Sequence, residues 1–221
     1  LAHLQRVVQE RQANESSCFV GGSPSDSGCD GDGPLLVLIG DSHAAHWSEA
    51  MASASSESDI PVLVRTRGGC PPWGFPVAAT GRSESSDVCT QFVADTFSYL
   101  SERRPSVVVI STASYQGRVL TSAGAPASRA DESTIVRDAV ERRLAMLLGL
   151  GGSVGVLLDN PSVPFDPIEC LARERESAPC DFDRDEGLAD VQGMRRIESG
   201  AARAVDVPVF DGALGMCDGR R

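Results

Sequence analysis

Five short apolar runs constrain this chain more than any other feature. They occupy residues 35–39, 62–64, 107–110, 154–158 and 207–210, and apolar side chains dominate each run with no alternation to polar. Runs of that length and character suit strands buried on both faces rather than strands with one wet face. Between them lie longer stretches with helical spacing, roughly 43–55, 88–103, 133–150 and 187–205. Strand and helix alternating in this way imply a parallel sheet with helices on both sides. The expected fold is therefore α/β, in three α/β/α layers around a five-stranded parallel sheet. A length of 221 residues fits one such domain. Residues 1–33 read as an N-terminal extension, helical at the start and loop-like after Gly21, and residues 34–221 as the domain proper.

Two joins are legible in detail. The third helical stretch runs into Gly149, Gly151 and Gly152 before the fourth strand, and glycines there can take the left-handed conformation that ends a helix. Residues 160–186 hold four prolines, many charges and two cysteines, too long a stretch for an ordinary connection in a compact domain. This segment reads as a braced surface excursion near the functional edge, and the Arg-Glu-Arg-Glu run at 173–176 within it as a solvated face.

Seven cysteines, none in a Cys-x-x-Cys pair, point away from zinc and toward disulfides. Neighbours along the chain pair as Cys18–Cys29, Cys70–Cys89 and Cys170–Cys180, each closing a loop rich in Gly, Pro, Ser or charge, and Cys217 is left over. Disulfides imply an oxidising compartment. The formal charge of −11, with arginine supplying all 20 basic side chains, excludes a nucleic-acid binder that rests on a basic face. No stretch approaches the roughly 20 apolar residues of a membrane helix, and residues 1–14 show no signal-peptide pattern. The chain reads as a piece of something larger that would carry the export signal.

The chemistry concentrates where the first run stops on Gly40-Asp41-Ser42-His43. A hydroxyl at the turn from a buried strand into a helix sits at the carboxyl edge of the sheet, with helix amides facing whatever reacts there. Asp41 or Ser42 could equally cap the helix, and capping is compatible with a nucleophilic serine.

This Gly-Asp-Ser-His block at the end of the first strand of an alternating α/β chain resembles the SGNH/GDSL hydrolase superfamily, whose fold is flavodoxin-like. More narrowly, Gly40-Asp41-Ser42-His43-Ala44, the Gly69-Cys70-Pro71-Pro72 turn, the Cys170 excursion and the Cys217-Asp218-Gly219 end resemble the extracytoplasmic SGNH domains fused to bacterial acyltransferase family 3 membrane proteins. The resemblance implies that Ser42 is a nucleophile that carries an acyl group, usually acetyl, to a cell-envelope glycan or glycolipid. It implies that the Ser42 amide is one oxyanion donor and that Gly69, or Gly68, supplies another, although both glycines could serve only to turn the chain. It further implies an attached transmembrane acyltransferase domain as the source of the acyl group, no cofactor, no metal and no nucleic acid, and a location on the outer face of the cell membrane.

Two departures from the family pattern matter. The pattern places an asparagine donor just after the third strand, where this chain has Ser111-Thr112-Ala113-Ser114-Tyr115, leaving the hydroxyl of Ser111 or Ser114 as a substitute. The pattern also places Asp-x-x-His after the last strand, but the only histidines are His3, His43 and His46. Asp211 and Asp218 have no histidine behind them and take no triad role. The expectation is that a cysteine and the Asp-x-x-His follow Arg221, that the last helix is missing, and that the 221 residues alone are inactive; the alternative is a domain that has lost its base.

His43, one residue after the nucleophile, is badly placed to take the serine proton and is expected to pack or hydrogen-bond beneath the turn, in support with Asp41. His46 could share a helical face with Ser42. Trp47 reads as core, and Trp73 either as core or as a stacking wall for a sugar, with Ser114 a second candidate acceptor contact. The resulting function is an O-acyltransferase domain working through acyl-Ser42. A glycan-binding or regulatory module and a secreted esterase are the alternatives.

Overall fold

A computed structural model describes residues 15–21, 23–25, 28–78, 86–173 and 180–217. Its strands are β1 (Glu15–Val20), β2 (Ser23–Ser25), β3 (Leu36–Gly40), β4 (Val62–Thr66), β5 (Val107–Ser111), β6 (Ser153–Leu157) and β7 (Val209–Phe210). The helices are α1 (Ser42–Ala45), α2 (Ser48–Ser58), α3 (Ser86–Arg103), α4 (Arg129–Leu148), α5 (Pro167–Arg173), α6 (Arg184–Ala189), α7 (Gln192–Ala204) and α8 (Ala213–Met216). All strands join one sheet in the order β2-β1-β4-β3-β5-β6-β7.

The five expected strands β3 to β7 are mutually parallel. The residues of β3 to β6 are largely buried on both faces, as unbroken apolar runs require, whereas β7 at the sheet edge leaves Phe210 exposed. Leu35, Val37 and Ile39 face a core built with Phe97 and Leu100 of α3, Val140 and Leu144 of α4, and Met194 and Ala201 of α7. Leu38, Val62 and Val64 face the other way, against Ala44 of α1 and Met51 of α2. The three layers follow from this division.

The sheet has seven strands rather than five. Strands β1 and β2, read from sequence as part of an extension, pair as a hairpin whose β1 runs antiparallel along β4. The hairpin covers an edge that would otherwise present unpaired amides and carbonyls. It is fastened by the Cys18–Cys29 disulfide and by the Ser55 hydroxyl of α2, which donates to the Phe19 carbonyl. The helical start expected at 1–8, most of the 173–176 run and Asp218-Gly219 lie outside the described residues.

The helices match the sequence reading in place but not in continuity. The stretch 43–55 breaks at His46-Trp47 into α1 and α2, and 187–205 forms only α7 and the end of α6, which begins at Arg184. Helix α4 starts four residues earlier than periodicity suggested, because Ser128 caps it by accepting from the Asp131 amide. The helix-to-strand join after it turns through Gly151 at φ +88°. Among the described residues no helix is long and apolar enough to cross a membrane.

Candidate active site

Gly40 ends β3 where no other residue fits. A Cβ there would lie 2.1 Å from the Ser111 carbonyl oxygen and 2.4 Å from the Ala44 Cβ. The absence of a side chain lets α1 start directly above the strand, hard against β5. Ser42 is thereby the first residue of a helix at the carboxyl edge of a parallel sheet, and an amide in that position has no partner within the helix.

Asp41 fixes this junction from below. It is fully buried and accepts four hydrogen bonds. The His43 amide donates to Oδ1 at 2.9 Å, which makes Asp41 the cap of α1. Oδ2 receives the Thr112 hydroxyl at 2.8 Å, the Ala113 amide at 2.8 Å and the Tyr115 phenol at 2.7 Å. Asp41 therefore laces α1 to the loop after β5. Burial first, and then the Asp41 charge, push the Tyr115 phenol far above its ordinary value, so it stays a donor.

A cleft of about 340 Å3 opens above this lacing, lined among others by Ser42, His43, Gly69, Ser114, Arg118 and Asp159. Gly69 reaches it through a turn at φ +75°, a conformation that favours glycine, and the turn is held by the Cys70–Cys89 disulfide. Gly68 lies beside the nucleophile too, since a Cβ on it would sit 3.9 Å from the Ser42 Cβ. Both candidate glycines are thus near Ser42, with Gly69 on the cleft wall. The Ser114 amide donates to Asp159 Oδ2 at 2.8 Å, while its hydroxyl is buried and has no hydrogen-bond partner. The Ser111 hydroxyl is likewise buried and without a partner.

Of the two roles expected of His43, packing or hydrogen bonding, the structure shows the second, with a partner across the chain and the ring at the cleft. Its ring Nδ1 meets Asp159 Oδ1 at 2.5 Å, with the imidazole 37% exposed and the carboxylate not at all. Burial pulls the imidazole pKa down, but the hydrogen bond to Asp159 and the charges of Asp159 and Asp41 outweigh it, and the net shift is upward. His46 stacks on His43 at 5.3 Å between ring centroids. Asp159 is itself held by its neighbours. The Asn160 amide donates to Oδ1, and Arg195 donates to the Asp159 carbonyl while bridging to Asp211 at 2.6 Å.

Asp159, Arg195 and Glu198 escaped the sequence reading. The signal for Asp159 was present: it directly follows the fourth apolar run, at the same carboxyl edge that singled out Ser42. Asp211, which sequence left without a triad role, serves as the partner of Arg195.

Trp73 is a correction. It is fully buried, and its indole N–H donates to Glu198 Oε1 at 2.7 Å, so it belongs to the core and offers no face to a sugar. The indole needs a buried partner, and Glu198 supplies one. Burial first raises the Glu198 carboxyl, with the charges of Asp159 and Asp41 adding to it and the Trp73 hydrogen bond and Arg195 opposing, to about 8. Trp47 is half-buried against the Leu38, Ala44, Val62 and Val64 cluster, as expected of a core residue. The structure joins Cys18–Cys29, Cys70–Cys89 and Cys170–Cys180 and leaves Cys217 free. Among the described residues no group of acidic, histidine or cysteine side chains could hold a metal ion.

A family model described as an SGNH domain fused to AT3 domains matches residues 6–221. The chain belongs to this SGNH family. Among solved structures, this SGNH domain is similar to the periplasmic domain of a Salmonella Paratyphi A lipopolysaccharide acetyltransferase, with 14% identity and a TM-score of 0.62 over 87% of this chain and 72% of that one. Looser overlaps exist with a GDSL-like lipase from Bacteroides thetaiotaomicron, at 12% identity and TM-score 0.47 over 97% and 80% of the two chains. A carbohydrate acetylesterase family member from Sinorhizobium meliloti overlaps at 13% identity and 0.45 over 82% and 84%. No curated protein matches the sequence. Together these findings show an α/β SGNH domain from a family described as fused to AT3 domains.

Proposed function

We propose that this SGNH domain carries an acyl group, most simply acetyl, on Ser42 and delivers it to a hydroxyl of a cell-envelope glycan or glycolipid. The observation that carries the reading is the placement of Ser42, the first residue of a helix, in a polar cleft with Gly69, Ser114 and the His43–Asp159 pair. Attack by the Ser42 hydroxyl on an acyl carbonyl would build negative charge on the carbonyl oxygen. The Ser42 amide, the positive end of α1 and the Gly69 amide are the donors proposed to stabilise it, with the unpartnered Ser114 hydroxyl in the place of the family's asparagine.

The AT3 domain to which the family is fused is the proposed source of the acyl group, and the periplasmic origin of the Salmonella neighbour, together with three disulfides, supports an extracytoplasmic location. These 221 residues contain no Asp-x-x-His, so they are expected to hydrolyse an activated acetyl ester at little above background.

The test is intact-mass analysis of the polypeptide as its gene encodes it, after exposure to an activated acetyl ester, beside Ser42→Ala. Acetyl on Ser42 and none on the variant supports the reading. Equal labelling of both sinks it, and binding of envelope glycan with no labelling would mark a binding module instead.

A further inference from the structure

The acylation described above gives the His43–Asp159 pair no step of its own. Successive residues of a helix leave its axis about 100° apart, so an imidazole at 43 does not face the hydroxyl at 42 along the same line. Both nevertheless line one cleft. A group lying across that cleft, between the two side chains, would touch both.

The imidazole is built for such a task. Asp159 occupies Nδ1, which leaves Nε2 as the nitrogen available to a ligand. The carboxylate cannot swing away. Oδ2 is held by the Ser114 amide and Oδ1 also by the Asn160 amide, while Arg195 ties the Asp159 backbone to Asp211. The histidine ring is part exposed, whereas its orienting carboxylate is wholly buried. An exposed imidazole aimed by a buried, rigid carboxylate is the arrangement of a general base rather than of a structural histidine. The other charged groups on the cleft are Arg118 and Asp190, His46 stacks on the ring, and Asp41 lies beneath it.

We propose that His43 is the general base for the acceptor, a saccharide hydroxyl, and that Asp159 is its positioning residue. This rests on the reading of Ser42 as the acyl carrier. As the acceptor oxygen attacks the acyl carbon of acyl-Ser42, its O–H bond breaks and the proton passes to Nε2. The bond from the acyl carbon to Ser42 Oγ then breaks. The departing alkoxide takes a proton from solvent, and Nε2 returns its own to solvent, so the products are the acylated saccharide and free Ser42.

The test separates the two half-reactions in the polypeptide as its gene encodes it. Ser42 is acetylated with p-nitrophenyl acetate, and loss of the acetyl group is followed by intact mass with and without a methyl glucoside as acceptor. In His43→Gln the transfer step should slow by about a hundredfold relative to acylation. The pH profile of transfer, expected to follow one ionising group in the unaltered protein, should flatten. Asp159→Asn should slow transfer likewise and shift that profile to lower pH, an effect that loss of folding would not produce. A melting curve for each variant confirms that it folds. Equal transfer per acetyl-Ser42 in His43→Gln and the unaltered protein overturns this inference alone. No acetyl on Ser42 in the unaltered protein overturns the acyl-carrier reading and this inference with it.

Discussion

Glu198 should make the stability of this domain fall steeply between mildly acidic and mildly basic pH. Its carboxyl is 1% exposed in the core, where the Trp73 indole donates to it. Burial raises its pKa from 4.5 to about 8. An acid whose pKa is higher folded than unfolded holds its proton more firmly when folded, so it favours the native state fully below pH 4.5. That contribution drains away as pH rises toward 8, because the unfolded chain has lost its proton while the folded one must keep it. A displacement of that size corresponds to something on the order of 5 kcal/mol. For a domain of this length it amounts to a fall of roughly 10–20 °C in melting temperature. Calorimetry or circular dichroism between pH 5 and 8.5, with the disulfides kept oxidised, measures the fall. Glu198→Gln retains an oxygen for Trp73 and has no charge to lose, so its melting temperature should fall much less over the same range, the remainder coming from the raised His43 imidazole. Parallel curves for the two proteins would refute the assignment of this pH dependence to Glu198.

Four further outcomes follow from the site. His43 should titrate above an ordinary histidine by NMR, and in Asp159→Asn, where burial is no longer outweighed, below 6.5; a histidine unmoved by that change would contradict the pairing. Tyr115→Phe removes a charge-assisted bond to Asp41 and should cost about 1.5–3 kcal/mol in urea unfolding, and a loss under about 0.5 would mean that Asp41 is held without it. Gly40→Ala forces a methyl group onto the Ser111 carbonyl and should destabilise the fold by more than about 4 kcal/mol, read as loss of a cooperative urea transition; an unchanged midpoint would show that α1 can shift. Replacing Cys70 and Cys89 together by alanine should cost about 2–4 kcal/mol of stability by calorimetry and also lower the reactivity of Ser42 toward an activated ester, because Gly69 adjoins Cys70. Lost stability with unaltered Ser42 reactivity would remove Gly69 from the oxyanion site.

The fold was legible because its signals are local. Each parallel strand is one apolar run, and the Gly-Asp-Ser block announces both a glycine that sterics demand and a helix start. What was hidden depends on contacts across the chain. His43 and Asp159 stand 116 residues apart and meet only because β3 and β6 end at the same edge of the sheet. The burial of Trp73 depends on Glu198, 125 residues later, on a helix whose inward face carries a carboxyl that periodicity would count as polar and outward. The β1–β2 hairpin was missed for a different reason: its sequence, Glu15 to Ser25, is polar and glycine-containing, and it becomes strand by pairing with β4 rather than by its own propensity.

The distribution of charge around the cleft gives Asp41 and Asp159 different tasks. Asp41 accepts from three residues of one loop and from the start of α1. With its oxygens committed to donors and no exposure to solvent, it can position Ser42 but cannot exchange protons with a substrate. Asp159 has one oxygen on a fixed amide and shares the other with an imidazole that reaches the cleft, so the effect of its charge is passed outward through His43. Behind both, Glu198 raises no third negative charge while it keeps its proton, and Arg195 lies close enough to lower its pKa. Ionising Glu198 would add charge that opposes Asp41 and Asp159 in a region where water cannot screen it. Glu198, kept neutral by its burial, therefore adds no third charge beneath the cleft, and the two aspartates keep their separate tasks through separate sets of donors.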